Sequence, residues 1–312
     1  MKEQSFISAV VYVRNNEKQI GTFLDNLALF LQDNYANSEI VCVNDGSTDD
    51  SVAEIKATAD KAVNTSICII NMSYFHGLEL AMNAGVDIAI GDFVIEFDNC
   101  DIDYDMSLIT EVYGRVLEGY DVVSANPDKK EKLSSRLFYK MVKKYSDLSV
   151  SLHTESFRIV SRRMINRIKA MNSTTPYRKI IYASAGLRTS SIIYTPKRTN
   201  LSFSKGNKES YKYRRRLATD ALLLFTQVGD RVALGMTLLM MAISILMVIY
   251  AVVVYLIGKP IEGWTTTVLF LSVAFFGLFA ILTVVIKYLQ LLLNLVFKRK
   301  QYSFESIEKL TK

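Results

Sequence analysis

The sequence predicts an α/β domain built on a mostly parallel sheet and followed by a two-helix transmembrane hairpin. Three observations predict this architecture. Over residues 6–124, short apolar runs alternate with segments of helical periodicity. Turns rich in Asn, Asp and Gly follow several of those runs directly. Two long apolar segments occupy the last third of the chain, and each is long enough to cross a bilayer.

Each element of the first domain has its own signal. Apolar, often β-branched runs predict buried strands, and apolar residues three and four positions apart predict helices. The predicted strands are residues 6–13, 39–43, 66–70, 92–97 and 120–124. The predicted helices run from the Asn15–Glu17 turn to about 32, and over about 49–60, 78–90 and 106–117. This alternation favours a doubly wound parallel sheet.

Three polar clusters follow predicted strands directly: Asn15–Glu17, Asp45–Ser47 and Asp98–Asp101. The carboxyl ends of parallel strands meet at one rim of the sheet, which is where ligands bind in open α/β folds. Two of the clusters are acidic, and carboxylate oxygens are the natural ligands of Mg²⁺ or Mn²⁺. We therefore predict a nucleotide site that also holds a divalent cation, with ordinary helix caps as the alternative for some of these residues.

The whole chain carries a net charge of +6, and basic residues are concentrated in its middle part. Seven lysines and arginines, including Arg136 and Lys140, lie between residues 128 and 145 on a predicted amphipathic helix. Arg162 and Arg163 continue the pattern. Nucleic acid is the competing partner for such a patch, but the apolar segments that follow favour anionic membrane lipid, so we expect no nucleic-acid partner.

The apolar segments at 232–257 and 266–286 predict two membrane spans joined by a short loop. Counting the flanking lysines and arginines places both termini in the cytoplasm, and no signal peptide is recognised. The predicted organisation is a cytoplasmic domain at 1–212 with a basic membrane-facing part at 128–216. A juxtamembrane segment at 213–231, the two spans and a basic tail at 287–312 follow. Three cysteines without metal-type spacing indicate free thiols.

These motifs resemble the family 2 glycosyltransferases of the GT-A fold, and within them the polyprenyl-phosphate glycosyltransferases related to dolichol-phosphate mannose synthase. Val43–Ser51 (VNDGSTDDS) is the most specific match, and Val10–Glu17 (VVYVRNNE), His76–Gly77 and the Phe157–Arg158 pair also correspond. The resemblance covers nearly the whole chain. It implies a membrane-anchored transferase that uses a nucleotide-sugar donor.

The chain departs from the family's motifs at two places. The family usually has Asp-x-Asp after the fourth strand, where this chain has Asp98-Asn99-Cys100-Asp101, so one carboxylate is missing unless Asp98 and Asp101 together supply the pair. The family also tends to have Gly-Asp before Phe-Arg, where this chain has Glu155-Ser156. Glu155 is one residue away from the position of the family's candidate base.

The resemblance therefore implies an inverting transfer to a polyprenyl phosphate at the cytoplasmic membrane face, for cell-envelope glycan assembly. Two alternatives stay open: transfer to the hydroxyl of a lipid-linked saccharide or polysaccharide, and a catalytically degenerate partner protein. A homo-oligomer also stays open. The expected catalytic residues are Asp101, Glu155 and Arg158, the expected donor-binding residues Asn15, Glu17, Asp45, Ser47, Gly77 and Asp98, and the expected metal ligands Asp98 and Asp101. The residues expected at the acceptor phosphate or the membrane are Arg136, Lys140, Arg162 and Arg163.

Overall fold

A computed structural model describes residues 2–60, 65–129, 153–170, 177–197, 264–297 and 302–311, with isolated helical positions between 235 and 246. The strands are β1 Ile7–Val13, β2 Ser38–Asn44, β3 Ser66–Met72, β4 Phe93–Phe97, β5 Val122–Pro127, β6 Phe157–Ser161, β7 Thr189–Tyr194 and β8 Phe304–Lys309. The helices are α1 Glu17–Asn34, α2 Ser51–Ala59, α3 Leu78–Ile88, α4 Ser107–Leu117, α5 Arg162–Ala170, α6 Arg178–Ser184 and α7 Trp264–Phe297.

The eight strands form one sheet in the order β7-β5-β6-β4-β1-β2-β3-β8. Strands β6 and β8 run antiparallel to their neighbours, and the other six strands share one direction. The sheet is therefore mostly parallel, as the sequence predicts. The carboxyl ends of β1, β2 and β4 lie side by side at one rim because these three strands are adjacent.

Apolar side chains cover both faces of the sheet. One face packs against α1, α2 and α4, and the other against α3, α5 and α6. Gly85 in α3 shows how closely a helix approaches, because a Cβ atom there would lie 2.4 Å from Val10 Cγ1 and 2.6 Å from Val43 Cγ2. Burial on both faces explains why the central strands are mostly apolar and do not alternate between apolar and polar residues.

All five predicted strands are present, with boundaries displaced by up to three residues. Strand β5 begins at Val122 rather than at residue 120. Gly119, with φ +93°, ends the turn after α4, and the Asp121 carboxylate accepts hydrogen bonds from Ser161 and Arg163. Strands β6, β7 and β8 were not predicted. The expected membrane-facing part at 128–216 contains β6 and β7, whose backbones hydrogen-bond within the sheet.

The C-terminal region differs from the predicted basic tail at 287–312. Helix α7 continues to Phe297, and β8 pairs antiparallel with β3 at the edge of the sheet. Of the predicted spans, 266–286 lies within α7, whereas 232–257 lies outside the described residues apart from isolated positions. In the part of the chain that the structure describes, no helix combines the length and the apolar character needed to cross a membrane.

Candidate active site

The turns after β1 and β2 are hydrogen-bonded to each other at the rim of the sheet. The Asn15 backbone N–H donates to Ser47 Oγ at 3.1 Å, and Asn15 Oδ1 accepts from the Thr48 N–H at 2.8 Å. The Glu17 N–H donates to Asp49 Oδ2 at 3.0 Å. Asn15 adopts a positive φ of +52°, which Asn tolerates better than most residues. The structure thus brings together two of the three clusters as the sequence predicts.

Asp45 holds the loop that precedes α3. Its carboxylate is fully buried and accepts hydrogen bonds from the backbone N–H groups of His76 (2.7 Å) and Gly77 (2.9 Å). The Tyr12 hydroxyl donates to the same carboxylate at 2.9 Å. Gly77 has φ +88°, a conformation that glycine adopts without strain. Asp45 therefore fixes the backbone of the neighbouring loop at this rim.

Asp98, at the end of β4, is held by two arginines. Arg158 Nη2 donates to Asp98 Oδ2 at 2.8 Å, and Arg178 Nη2 donates to Oδ1 at 2.6 Å. Burial opposes ionisation of Asp98, but the positive charges of Arg158, Arg178 and Lys179 outweigh it and hold the pKa of this carboxyl well below its usual range. Asp98 is therefore a carboxylate at neutral pH.

The same arginines bind a second carboxylate deeper in the sheet. Glu96 on β4 is fully buried and accepts hydrogen bonds from Arg158, Arg178 and the Tyr182 hydroxyl. Arg178 Nε also donates to Glu79 on α3 at 2.9 Å. Both guanidinium groups are nearly inaccessible to solvent. The result is an ion-pair cluster that ties α3, β4, β6 and α6 together.

Sequence reasoning missed Glu79, Glu96, Arg178 and Tyr182. A glutamate inside the apolar run Phe93–Phe97 was a usable signal for Glu96, because a fully buried charge requires partners. Arg178 offered no comparable signal, since it lies in a basic region of weak periodicity.

Glu155 is held by two cations. Its Oε2 accepts a hydrogen bond from Arg158 Nε at 2.8 Å and lies 3.7 Å from Lys179 Nζ. Lys179 Nζ also donates to the backbone carbonyl of His153 at 3.1 Å. Glu155 and Arg158 therefore lie together, next to Asp98.

Asp101 differs from Asp98 in its surroundings. Its side chain is partly exposed, and burial, with a further contribution from Asp103, raises the pKa of this carboxyl. The described residues contain no group of three or more acidic, histidine or cysteine side chains arranged to hold a metal ion. Both oxygens of Asp98 are engaged by arginines, so Asp101 is the better fit for a cation. A cation there would need the oxygens of a substrate to complete its shell, as Mg²⁺ commonly does.

Arg162 and Arg163 do not reach this rim. Because β6 runs antiparallel to β4, Ser161 pairs with Phe93 at the start of β4, at the opposite end of the sheet from Asp98. Arg162 donates to the backbone carbonyls of Ala89 and Gly91, and Arg163 forms a bidentate ion pair with Asp121. Their expected contact with an acceptor phosphate at this site is therefore not seen. Arg136 and Lys140 lie outside the described residues.

Comparisons with known proteins identify similar sequences and a similar fold. Residues 8–174 match the sequence profile described as "Glycosyl transferase family 2". An uncharacterised glycosyltransferase of Synechocystis sp. is 27% identical over 281 residues, which cover 87% of this chain and 85% of that protein. A bactoprenol glucosyl transferase of Shigella phage SfV is 27% identical over 278 residues, covering 87% of this chain and 88% of that protein. The crystal structure of a mycobacterial protein superimposes with a TM-score of 0.51 at 16% identity, covering 70% of this chain and 74% of that chain.

Proposed function

Because the chain belongs to glycosyl transferase family 2, we propose that it transfers a sugar from a nucleotide-diphosphate donor to a polyprenyl phosphate, with inversion at the anomeric carbon. It is a glycosyltransferase, and its mostly parallel sheet is the GT-A arrangement that the resemblance implies. The observation that carries the proposal is the rim where Asp45 follows β2 and Asp98 and Asp101 follow β4, the two parallel strands on either side of β1. The similarity to a bactoprenol glucosyl transferase over most of both chains supports a polyprenyl phosphate as acceptor.

Different residues at the rim would bind different parts of the nucleotide-sugar donor. Asn15, Glu17, Ser47, Asp45 and the loop at Gly77 surround the end of β2 and form the nucleoside side of the site. Asp98 and Asp101 lie on the diphosphate side. The fit to Mg²⁺ or Mn²⁺ favours Asp101, which together with the donor's diphosphate would hold the ion. When bound, the cation neutralises negative charge on the departing nucleoside diphosphate.

Arg158 and Arg178 fix the position of Asp98 rather than approaching the open rim, because both side chains are buried and their donors point to carboxylates. A preorganised charged framework of this kind needs no rearrangement when the leaving group develops charge.

The acceptor oxygen of a polyprenyl phosphate is already anionic near neutral pH. It attacks the anomeric carbon, the bond between that carbon and the diphosphate oxygen breaks, and the nucleoside diphosphate leaves. No proton has to be removed from the acceptor. This matches the state of Glu155, which is ion-paired with Arg158 and close to Lys179. A hydroxyl acceptor would require a base there, so the ion pairing supports the phosphate acceptor.

The proposal includes the membrane. Apolar side chains along α7 are exposed, among them Phe276 at 72% and Phe279 at 61%. A lipid-linked acceptor would be presented at the cytoplasmic membrane face beside such a surface, with Arg136 and Lys140 as candidate lipid contacts. Fractionation of cells that express the full chain tests this part, and recovery in the soluble fraction alone would contradict it.

The decisive experiment uses the full chain in detergent with polyprenyl phosphate and a panel of UDP-glucose, UDP-N-acetylglucosamine and GDP-mannose, with Mg²⁺ or Mn²⁺. We expect sugar transfer with one donor, an inverted anomeric configuration in the product, and loss of most activity in Asp101→Ala. Asp105→Ala is the matched control, because Asp105 lies in the same acidic turn, is exposed and pairs with Lys197. Absence of both transfer and donor hydrolysis with every donor would refute the proposal.

A further inference from the structure

A cleft of about 350 Å³ lies beside the ion-pair cluster, between β5, β7 and α6. Strands β5 and β7 run in the same direction as β4, so the carboxyl ends of these strands open at the same rim as Asp98. Ser124 on β5 is paired in register with Arg158 on β6. Arg158 lines the cleft and donates to Asp98, so the cleft adjoins the side of the site where Asp98 lies, away from Asp45.

Neutral hydrogen-bonding groups line much of the cleft. Ser124 and Asn126 are two residues apart on β5, so they share one face of the sheet, and Thr189 and Ser191 do the same on β7. Val123 and Ala125, which alternate with the first pair, belong to the apolar core on the other face. These four residues offer three hydroxyl groups and one amide to a ligand.

Asn126 is the most informative of these residues. The residue is only 6% exposed, and no group among the described residues forms a hydrogen bond with its buried Oδ1 atom. An unsatisfied buried carbonyl of this kind destabilises the folded protein, because it has lost its hydrogen bonds to water and gained none in return. Most buried polar groups in folded proteins are paired, so the orphaned acceptor indicates a site that a ligand hydroxyl completes.

The charges around the cleft argue against an anionic ligand. Arg158 is engaged by Glu96, Asp98 and Glu155, and Lys179 lies beside Glu155. These cations are already compensated by carboxylates. A phosphate would require uncompensated positive charge, whereas a polyhydroxylated neutral ligand matches hydroxyl and amide groups.

We propose that this cleft binds a neutral hexopyranose ring through Ser124, Asn126 and Ser191. The inference rests on the proposed function and adds where the sugar lies. Two sources share this chemistry: the glycosyl group of the donor, which would extend from the diphosphate near Asp98 into the cleft, and a saccharide acceptor.

The test compares Ser124→Ala, Asn126→Ala and Ser191→Ala with the control Ser184→Ala. The Ser184 hydroxyl bonds the carbonyl of Ile181 in its own helix and lies outside the cleft. For each full-length protein, calorimetry measures the affinity for the preferred nucleotide sugar and for the corresponding nucleoside diphosphate. Because the diphosphate lacks the hexose, we expect its affinity to be unchanged. The nucleotide sugar should bind about 3- to 10-fold more weakly in each cleft variant, as expected for one lost hydrogen bond.

The second arm uses octyl glucoside as a saccharide acceptor. A raised KM for this acceptor, with nucleotide-sugar affinity unchanged, would assign the cleft to an acceptor sugar. Ser191 is exposed, so its variant reports on the cleft even where a change at buried Asn126 lowers stability. If neither affinity nor KM changes in variants of an active enzyme, the cleft inference is overturned while the proposed function stands. A wild-type protein that neither binds nor transfers any donor overturns both.

Discussion

Replacing Arg178 with methionine tests whether the buried ion-pair cluster holds the site together. Arg178 is 1% exposed and contacts Glu79, Glu96 and Asp98. Across the described part of the cluster, four carboxylates face three cations, so it carries one net negative charge. Removing Arg178 would leave two.

The expected loss of unfolding free energy follows from the burial of Arg178. Breaking a buried ion pair by removing one partner costs about 3–5 kcal/mol, because the remaining charge loses its compensation inside the protein. Arg158 still donates to Glu96 at 3.1 Å and to Asp98 at 2.8 Å, so part of the compensation remains. We expect Arg178→Met to lower the free energy of unfolding by about 3 kcal/mol, a large share of the roughly 5–15 kcal/mol typical of a domain.

Urea titration followed by far-ultraviolet circular dichroism measures the effect on detergent-solubilised protein. Arg163→Met is the matched control, since the Arg163 side chain is 67% exposed and its ion pair with Asp121 lies at the other end of the sheet. The control should shift the midpoint far less. A double-mutant cycle uses Glu79→Gln, Arg178→Gln and the variant that carries both changes. Their effects on the free energy of unfolding should be non-additive by about 1 kcal/mol or more. A loss below about 1 kcal/mol in Arg178→Met would refute the view that the cluster stabilises the fold.

Three further predictions concern the scaffold. Gly85→Ala should lower the free energy of unfolding by about 1–3 kcal/mol, because its methyl group would overlap side chains of β1 and β2. Gly114→Ala should be neutral or stabilising, because nothing lies within 4 Å of the added atom. Thermal unfolding of the two variants measures the difference. Burial opposes ionisation of Asp121, but hydrogen bonds from Arg163 and a neighbouring serine hold its pKa below the usual value. The ion pair between Asp121 and Arg163 therefore stabilises the fold above about pH 4, and this stabilisation is lost as the pH falls further. Arg163→Ala should flatten the acid limb of a curve of unfolding free energy against pH. An unchanged acid limb would contradict this linkage. Deleting residues 302–312 should weaken nucleotide binding in a titration, because the backbone N–H of Ser303, just before β8, donates to His76 Nε2 in the loop that Asp45 holds. Unchanged affinity in the folded deletion variant would exclude that coupling.

The sequence could predict those parts of the fold that rest on local pattern. Strands β1 to β4 are mostly apolar because both faces are covered, and α1 buries Ile20, Phe23, Leu24, Leu27 and Leu31 at helical spacing. The shared rim of Asp45, Asp98 and Asp101 follows from parallel strands alone. These features depend on residues close together in the chain.

The rest depends on contacts between distant residues. Arg178 forms an ion pair with Glu79, which lies 99 positions earlier in the chain. No pattern in the sequence around either residue predicts this pair. Arg162 and Arg163 were expected at the acceptor phosphate or the membrane because they continue the basic pattern of the middle of the chain, but the antiparallel direction of β6 carries them to the opposite end of the sheet from Asp98. Direction within a sheet cannot be read from a five-residue apolar run.

The position of β8 near the end of the chain also affects folding during synthesis. Asn71 beside β8 bonds Ser306 across 235 positions, so β3 emerges from the ribosome long before its outer neighbour. Until then β3 presents unpaired backbone groups along an apolar edge, which is a template for association with other chains. Nascent chains interrupted between β7 and β8 should therefore be the aggregation-prone species, and their solubility should depend on chaperones that cover an exposed strand.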